Sequence, residues 1–307
     1  MIDLEGRTAF VTGGGNGVGL GLVRALLANG CNVALAEIRQ ESIDRALAEL
    51  DSDHVIGLQL DVTSREAFAS AADEAEAALG PVTLLFNNAG VNLFQTIEES
   101  SYDDWDWVLG VNLHGVINGI VTFVPRILAG RNGGHVVNTA SMAGFLAGPI
   151  AGIYNCAKFA VRGLSESLRY SLAPQGVGIS VLCPGLVDSC IYASDEIRPE
   201  ALRAHARATD PEFVAALARV HRAGMSPHEV AAKVLDAIRA NRFYIFSHPE
   251  HREEVREVFD EILADFPTGD TPPDRLQVEL DRCQRYREAR RAAGVPHQSS
   301  HHQSSTD

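Results

Sequence analysis

Cysteine is scarce in this sequence. Cys31, Cys156, Cys183, Cys190 and Cys283 are scattered, odd in number and include no CxxC pair. No disulfide framework or paired-thiolate motif can be read from them, and free thiols in a reducing compartment are expected. Basic residues are also few: Lys+Arg is 26 against Asp+Glu 40, a net charge of −14. Neither nucleic acid nor an anionic membrane is expected as a main partner. No uninterrupted apolar run reaches the length of a membrane span. The start, MIDLEGR, is charged and has no apolar segment of the secretory kind, so a cytoplasmic location is expected. HExxH and comparable ligand clusters are missing, so no metal site is expected and a metal-dependent hydrolase finds no support.

What is present is a rhythm. Short β-branched runs at 7–12, 31–37, 54–60, 82–86, 134–140, 177–183 and 242–247 read as strands. Helix-length segments lie near 17–29, 40–50, 64–79, 103–129, 152–173 and 226–240. Continuous apolar strands are buried on both faces, as in a parallel sheet. The alternation predicts an α/β fold, a Rossmann-type doubly wound parallel sheet of seven strands in the order 3-2-1-4-5-6-7 with helices on both faces. Ligands of such sheets bind at the carboxyl ends of the strands. One domain is expected over 1–266. Residues 188–225 interrupt the rhythm and suit a substrate lid, with a surface excursion as the rival reading. Residues 267–307 read as a charged helical extension and a polar His/Ser/Gln-rich tail, expected to be disordered.

TGGGNGVG, residues 12–19, follows the first strand and opens a helix. Gly13, Gly17 and Gly19 let the backbone turn tightly and approach a pyrophosphate, beside Asn16 and Val18. Glu37 ends the second strand, where a carboxylate accepts hydrogen bonds from the adenosine ribose and repels a 2′-phosphate. Neutral Asn16 before Gly17 also favours NAD. Arg39 lies two residues beyond Glu37 and keeps NADP open. Asp61 and Val62 end the third strand, with Asp61 placed to receive the adenine amino group. Asn88, Ala89 and Gly90 of NNAG end the fourth strand near the adenosine ribose. Pro184 and Gly185 follow the sixth strand, with Val187 and Ser189 reaching the nicotinamide.

YNCAK, residues 154–158, puts Tyr154 and Lys158 on one face of a helix. A nearby cation favours the ionised phenol and lowers its pKa, so Tyr154 is expected to exchange a proton with an alcohol or ketone. Lys158 is also expected to bind the nicotinamide ribose. Ser141, just past the fifth strand, is expected to hold the substrate oxygen. Asn112, in VNLHG within the long helix, is expected to hold a water that links Lys158 to solvent. A lone YxxxK is common on exposed helices; the joint occurrence of these groups at the proper strand ends carries the functional reading.

With TGGGNGVG, NNAG, Asn112, Ser141, YNCAK and PGLVDS in order, the chain resembles the short-chain dehydrogenase/reductase family, in its shorter single-domain branch, over about residues 4–250. The resemblance implies catalytic Asn112, Ser141, Tyr154 and Lys158. It also implies homodimers or homotetramers packed through helices 103–129 and 152–173. Ser189 stands where the family often has threonine, and Cys156 where it often has serine. Residues 101–128 and the extended tail are similar to bacterial dehydrogenases of bulky aryl alcohols, among them Cα-dehydrogenases acting on lignin-derived β-aryl ethers. The expected reaction is NAD-dependent interconversion of a bulky, aromatic secondary alcohol and its ketone. The expected pocket residues are Asn92, Phe94, Met142, Phe145, Leu146, Cys190 and Tyr192. Two rivals stand beside it: an NADP-linked ketoreductase acting on bulky ketones or hydroxysteroids, and a catalytically silent dinucleotide sensor.

Overall fold

The structure is a computed structural model that describes residues 2–206 and 210–295. Seven strands form one parallel sheet: β1 (Thr8–Thr12), β2 (Asn32–Glu37), β3 (Val55–Gln59), β4 (Val82–Asn87), β5 (Gly134–Thr139), β6 (Val177–Cys183) and β7 (Tyr244–Phe246). Their order is β3-β2-β1-β4-β5-β6-β7, as the sequence predicts. The last strand is only three residues long, shorter than the run 242–247 suggests.

Successive strand residues point to opposite faces, and both faces are apolar. Phe10, Ala34, Ala36 and Leu85 belong to one core cluster, with Phe68 and Phe123 from the flanking helices. Ala9, Val11, Val33, Leu35, Leu84 and Phe86 belong to the other. The Phe10 ring lies 4.7 Å from that of Phe123 and 5.9 Å from that of Phe68. Each such ring contributes roughly 1.5–3 kcal/mol by leaving water.

One flank carries α3 (Arg65–Leu79) and α5 (Gly115–Gly130), together with α6 (Gly152–Leu172). The other carries α1 (Gly17–Ala28) and α8 (Pro227–Arg239), with α2 (Gln40–Leu50) beside them. Local chemistry sets the starts. Ser64 caps α3 through Ala67 N–H. Ser226 and Glu229 form a capping box at α8, which opens on Pro227.

The expected helix 103–129 is not regular. It comprises α4 (Tyr102–Leu109), a π-helical turn (Gly110–His114) and α5. The run 102–130 is long and apolar enough to cross a membrane by length and composition, although charged residues interrupt it. Here it packs along the sheet, with Val116, Phe123, Val124 and Ile127 buried.

The interruption at 188–225 folds as short 3-10 turns (Ile191–Ile197 and Glu200–Leu202) and α7 (Pro211–His221). After β7 come α9 (Arg252–Ala264) and α10 (Pro273–Ala292), the helical pattern expected past the last strand. Neither buries a residue fully; α10 meets α6 through the Tyr170 and Tyr286 rings, 5.8 Å apart. The histidines of the tail lie outside the described residues.

Candidate active site

A cavity of about 620 Å³ opens along the carboxyl ends of the strands. It runs from Gly13 and Glu37 past Gly90 to Ser141, Tyr154 and Lys158, then under residues 184–202.

Its nucleotide-like end is built by the turn into α1. Gly13 (φ +64) and Gly17 (φ +48) occupy left-handed backbone that favours glycine. Asn16 gives the helix no side-chain cap. It bonds Ser42 Oγ at 3.2 Å instead and also accepts from Arg45. The α1 N-terminus has no acidic residue in its first turn and faces an anion-compatible space. Gly19 is not part of the cavity wall. It serves packing: a Cβ there would lie 2.0 Å from the Gly13 carbonyl oxygen.

Glu37 is 8% exposed, accepts from Ile38 N–H at 3.0 Å and lines the cavity; exposed Arg39 lines it next door. Asp61 accepts from the Thr63 N–H and hydroxyl at 2.9 and 2.8 Å. Val62, Asn88, Ala89 and Gly90 complete this wall. The sequence reading missed Thr12, whose hydroxyl accepts from Asn88 N–H (2.9 Å) and Ala89 N–H (3.0 Å). Its signal is a hydroxyl at the last position of β1, within the glycine motif.

Tyr154 and Lys158 lie in the first turns of α6, with Lys158 Nζ 5.2 Å from the Tyr154 ring centre. The helix is entered through Ala151 in left-handed backbone (φ +65), a conformation a non-glycine residue adopts at a cost. Lys158 is 3% exposed and donates to the Thr139 carbonyl at 2.8 Å. Burial pulls the Lys158 ammonium down to about 8. Burial likewise pushes the Tyr154 phenol up to about 12, opposed by hydrogen bonding to Ser141. The expected lowering of the phenol is therefore absent from the protein's own groups. Desolvation outweighs a lysine whose charge is itself disfavoured.

Ser141 sits where β5 gives way to a 3-10 turn (Met142–Gly144). Its hydroxyl accepts from Ala143 N–H at 3.1 Å and lies 3.4 Å from the Pro184 carbonyl. Asn112 lies in the π turn. Its Oδ1 accepts from Val91 N–H (2.9 Å) and its Nδ2 donates to the Val91 carbonyl (2.7 Å). The carboxamide thus ties the π turn to the chain leaving β4; the side chain is fully buried and does not line the cavity.

Beyond the serine the wall turns apolar. Phe94, Trp107, Val111, Met142, Ile191, Ile197 and Leu202 line it, with Asn92, Pro184, Gly185, Val187, Ser189 and Cys190. Three expected pocket residues lie elsewhere. The 3-10 turn after Ser141 carries the chain away, so Phe145 packs on Arg162 (4.2 Å) and Phe246 (5.4 Å). Leu146 joins the core beside it. Tyr192 turns its ring to His221, 5.4 Å away, while Ile191 and Ala193 face the cavity. His221, buried and on the wall, was missed, because nothing local marks an α7 histidine as facing the strand ends.

The covering segment is pinned by a buried ion pair. Arg198 bonds Asp104 of α4, and both side chains are nearly inaccessible. The guanidinium stacks 4.7 Å over Trp107. Among the described residues no cluster of His, Cys, Asp or Glu suits a metal ion.

A Rossmann-type sheet, a glycine turn into α1 and a Ser–Tyr–Lys group at the strand ends define a class: oxidoreductases that work with a bound dinucleotide. The profile of the family described as short chain dehydrogenase matches residues 7–198. The chain belongs to that family. It is 38% identical over 284 residues to a C alpha-dehydrogenase of Sphingobium sp. (strain NBRC 103272 / SYK-6), covering 92% of this chain and 93% of the relative. Among solved structures it is similar to a short-chain dehydrogenase from Novosphingobium aromaticivorans, at 55% identity and TM-score 0.83, over 95% of this chain and 100% of the other. It is also similar to a short chain dehydrogenase/reductase from Burkholderia phymatum solved in complex with NAD, at 38% identity and TM-score 0.82, over 89% and 100%.

Proposed function

We propose that this chain oxidises a bulky aromatic secondary alcohol to its ketone with NAD+. The observation that carries the reading is one continuous cavity. Glu37 lies at one end, Ser141, Tyr154 and Lys158 at the middle, and an apolar, aromatic wall at the other. The likeness to a C alpha-dehydrogenase over nearly the whole chain points the same way.

The residues fit a dinucleotide. Two left-handed glycines set the pyrophosphate turn, Glu37 offers a carboxylate to the ribose hydroxyls, and residues 184–189 wall the nicotinamide half. Bound there, NAD+ would supply the acceptor for the hydride of the carbinol carbon. Ser141 holds the alcohol oxygen, and Tyr154 takes its proton as the carbonyl forms. With a phenol pushed up to about 12 by burial, Tyr154 works as a base only beside two cations, Lys158 and the oxidised ring. Asn112 acts by positioning the β4 exit. Residues 188–225 form the substrate lid, latched by Arg198 and Asp104. α5 and α6 form the subunit interface, where Ile117, Ile120, Leu164 and Leu168 line an apolar groove. The free thiols suit a reducing compartment such as the cytoplasm.

The test is NADH formation by the purified protein with NAD+ or NADP+ and secondary alcohols running from small aliphatics through aryl ethers to steroids. Turnover with NAD+ and bulky aryl alcohols is expected. Tyr154→Phe should lower kcat by roughly 10²–10⁴-fold while NAD+ still binds. Retained turnover in that variant, or a firm preference for NADP+ and steroids, overturns the reading.

A further inference from the structure

We propose that His248, between β7 and α9, positions the nicotinamide wall of the cofactor site by clamping the loop that follows β6. The ring is 5% exposed and does not line the cavity. Its Nδ1 lies 3.0 Å from the Gly185 backbone nitrogen, and its Nε2 lies 2.8 Å from the Leu186 carbonyl oxygen. A backbone N–H only donates and a carbonyl only accepts. The ring is therefore the neutral tautomer with its proton on Nε2, accepting from Gly185 and donating to Leu186. The Ser247 hydroxyl, 2.7 Å from Nδ1, donates to the same nitrogen.

The fit extends to shape. A Cβ on Gly185 would come within 2.9 Å of His248 Cγ and 2.5 Å of His251 Nε2. The two imidazoles thus occupy the space a side chain at 185 would need, and the main chain is drawn against them. On its other side the loop is tied to the catalytic serine turn. The Pro184 carbonyl accepts from Met142 N–H at 2.9 Å and lies 3.4 Å from Ser141 Oγ. The Leu186 carbonyl accepts a second bond, from Met225 N–H at 2.9 Å. Pro184, Gly185, Leu186, Val187 and Ser189 all line the cavity. His248 is the side chain that fixes the two central main-chain groups of that wall.

The role rests on the reading of residues 184–189 as the nicotinamide wall, and its test uses no alcohol substrate. NADH and ADP-ribose, which lacks the nicotinamide, are titrated calorimetrically into the full chain and into three variants. His248→Phe keeps a ring and removes both bonds. It should weaken NADH about tenfold or more, since the buried Gly185 N–H is left unpaired and the Leu186 carbonyl keeps only its bond from Met225. ADP-ribose should stay within about twofold by the same scale. His248→Asn keeps an acceptor for Gly185 and His248→Gln a donor for Leu186, and each should recover part of the NADH affinity. If the Phe variant does not fold, the NADH-to-ADP-ribose ratio in the Asn and Gln variants decides. Equal losses for both ligands, or no loss for either, overturn the proposal. Wild-type protein that binds ADP-ribose as tightly as NADH overturns the wall assignment, and the clamp with it. Failure to oxidise aryl alcohols leaves this comparison intact, so the two readings fail separately.

Discussion

Glu37 is the residue on which the proposed preference for NAD rests. Its carboxylate is buried at the cavity wall, with Arg39 beside it and Arg45 bonded to the neighbouring Asn16. A negative charge there repels a 2′-phosphate, and the two arginines would attract one once it is gone. Glu37→Ser should therefore shift kcat/KM from NAD+ toward NADP+ by about tenfold or more, read from cofactor saturation curves at a fixed alcohol concentration. An unchanged preference would place the ribose elsewhere. Glu37, Ser141, Tyr154 and Lys158 were legible in the sequence because Glu37 and Ser141 stand at strand ends and Tyr154 and Lys158 share one helix face. The protonation of Tyr154 was not. It depends on how much protein surrounds the phenol, and burial overrides the i,i+4 lysine.

Among the elements, β5 carries a charge-sensitive point inside the sheet. His135 is 2% exposed, and its Nε2 lies 2.8 Å from Ser180 Oγ on β6. Burial pulls its imidazole down from 6.5 to about 4. The unfolded chain then takes up a proton near pH 6.5 that the folded one refuses until about pH 4. This contribution is full above pH 6.5 and is lost as pH falls toward 4, a change of ~3 kcal/mol. His135→Leu should flatten the fall in urea-unfolding free energy across that window, whatever its effect at neutral pH. An equal slope in both proteins would mean that His135 is not the group titrating. The elements themselves were mostly readable, since capping serines and β-branched runs are local. The π turn was not: it shows only once Val91, twenty-one positions away in sequence, is seen to take both polar atoms of the Asn112 side chain.

For the molecule as a whole, the surfaces of α5 and α6 are the proposed subunit interface. Val121 is 68% exposed on α5, and Phe159 is 41% exposed on α6. An apolar groove lies between these helices, and faces of this kind are commonly covered by a second subunit. Val121→Asp leaves the core untouched and should shift the protein to a smaller species in sedimentation. An unchanged assembly would move the interface to the exposed apolar side chains of α9 and α10, such as Leu263, Phe266 and Leu280. The motif order bears on this face only through the family resemblance, and charge count does not bear on it at all.

The amino-acid order alone determined the strand succession, the glycine turn, the acidic residue closing β2 and the Tyr–Lys pair. All are set by contacts or periodicities within a few residues. Tertiary structure decided the rest. It turned Phe145, Leu146 and Tyr192 away from the cavity and brought His221 to its wall. It buried Arg198 against Asp104, ninety-four residues apart, and set His248 against Gly185 across sixty-three. Such pairings depend on where the sheet places its strand ends in space, and no local pattern along the chain records that distance.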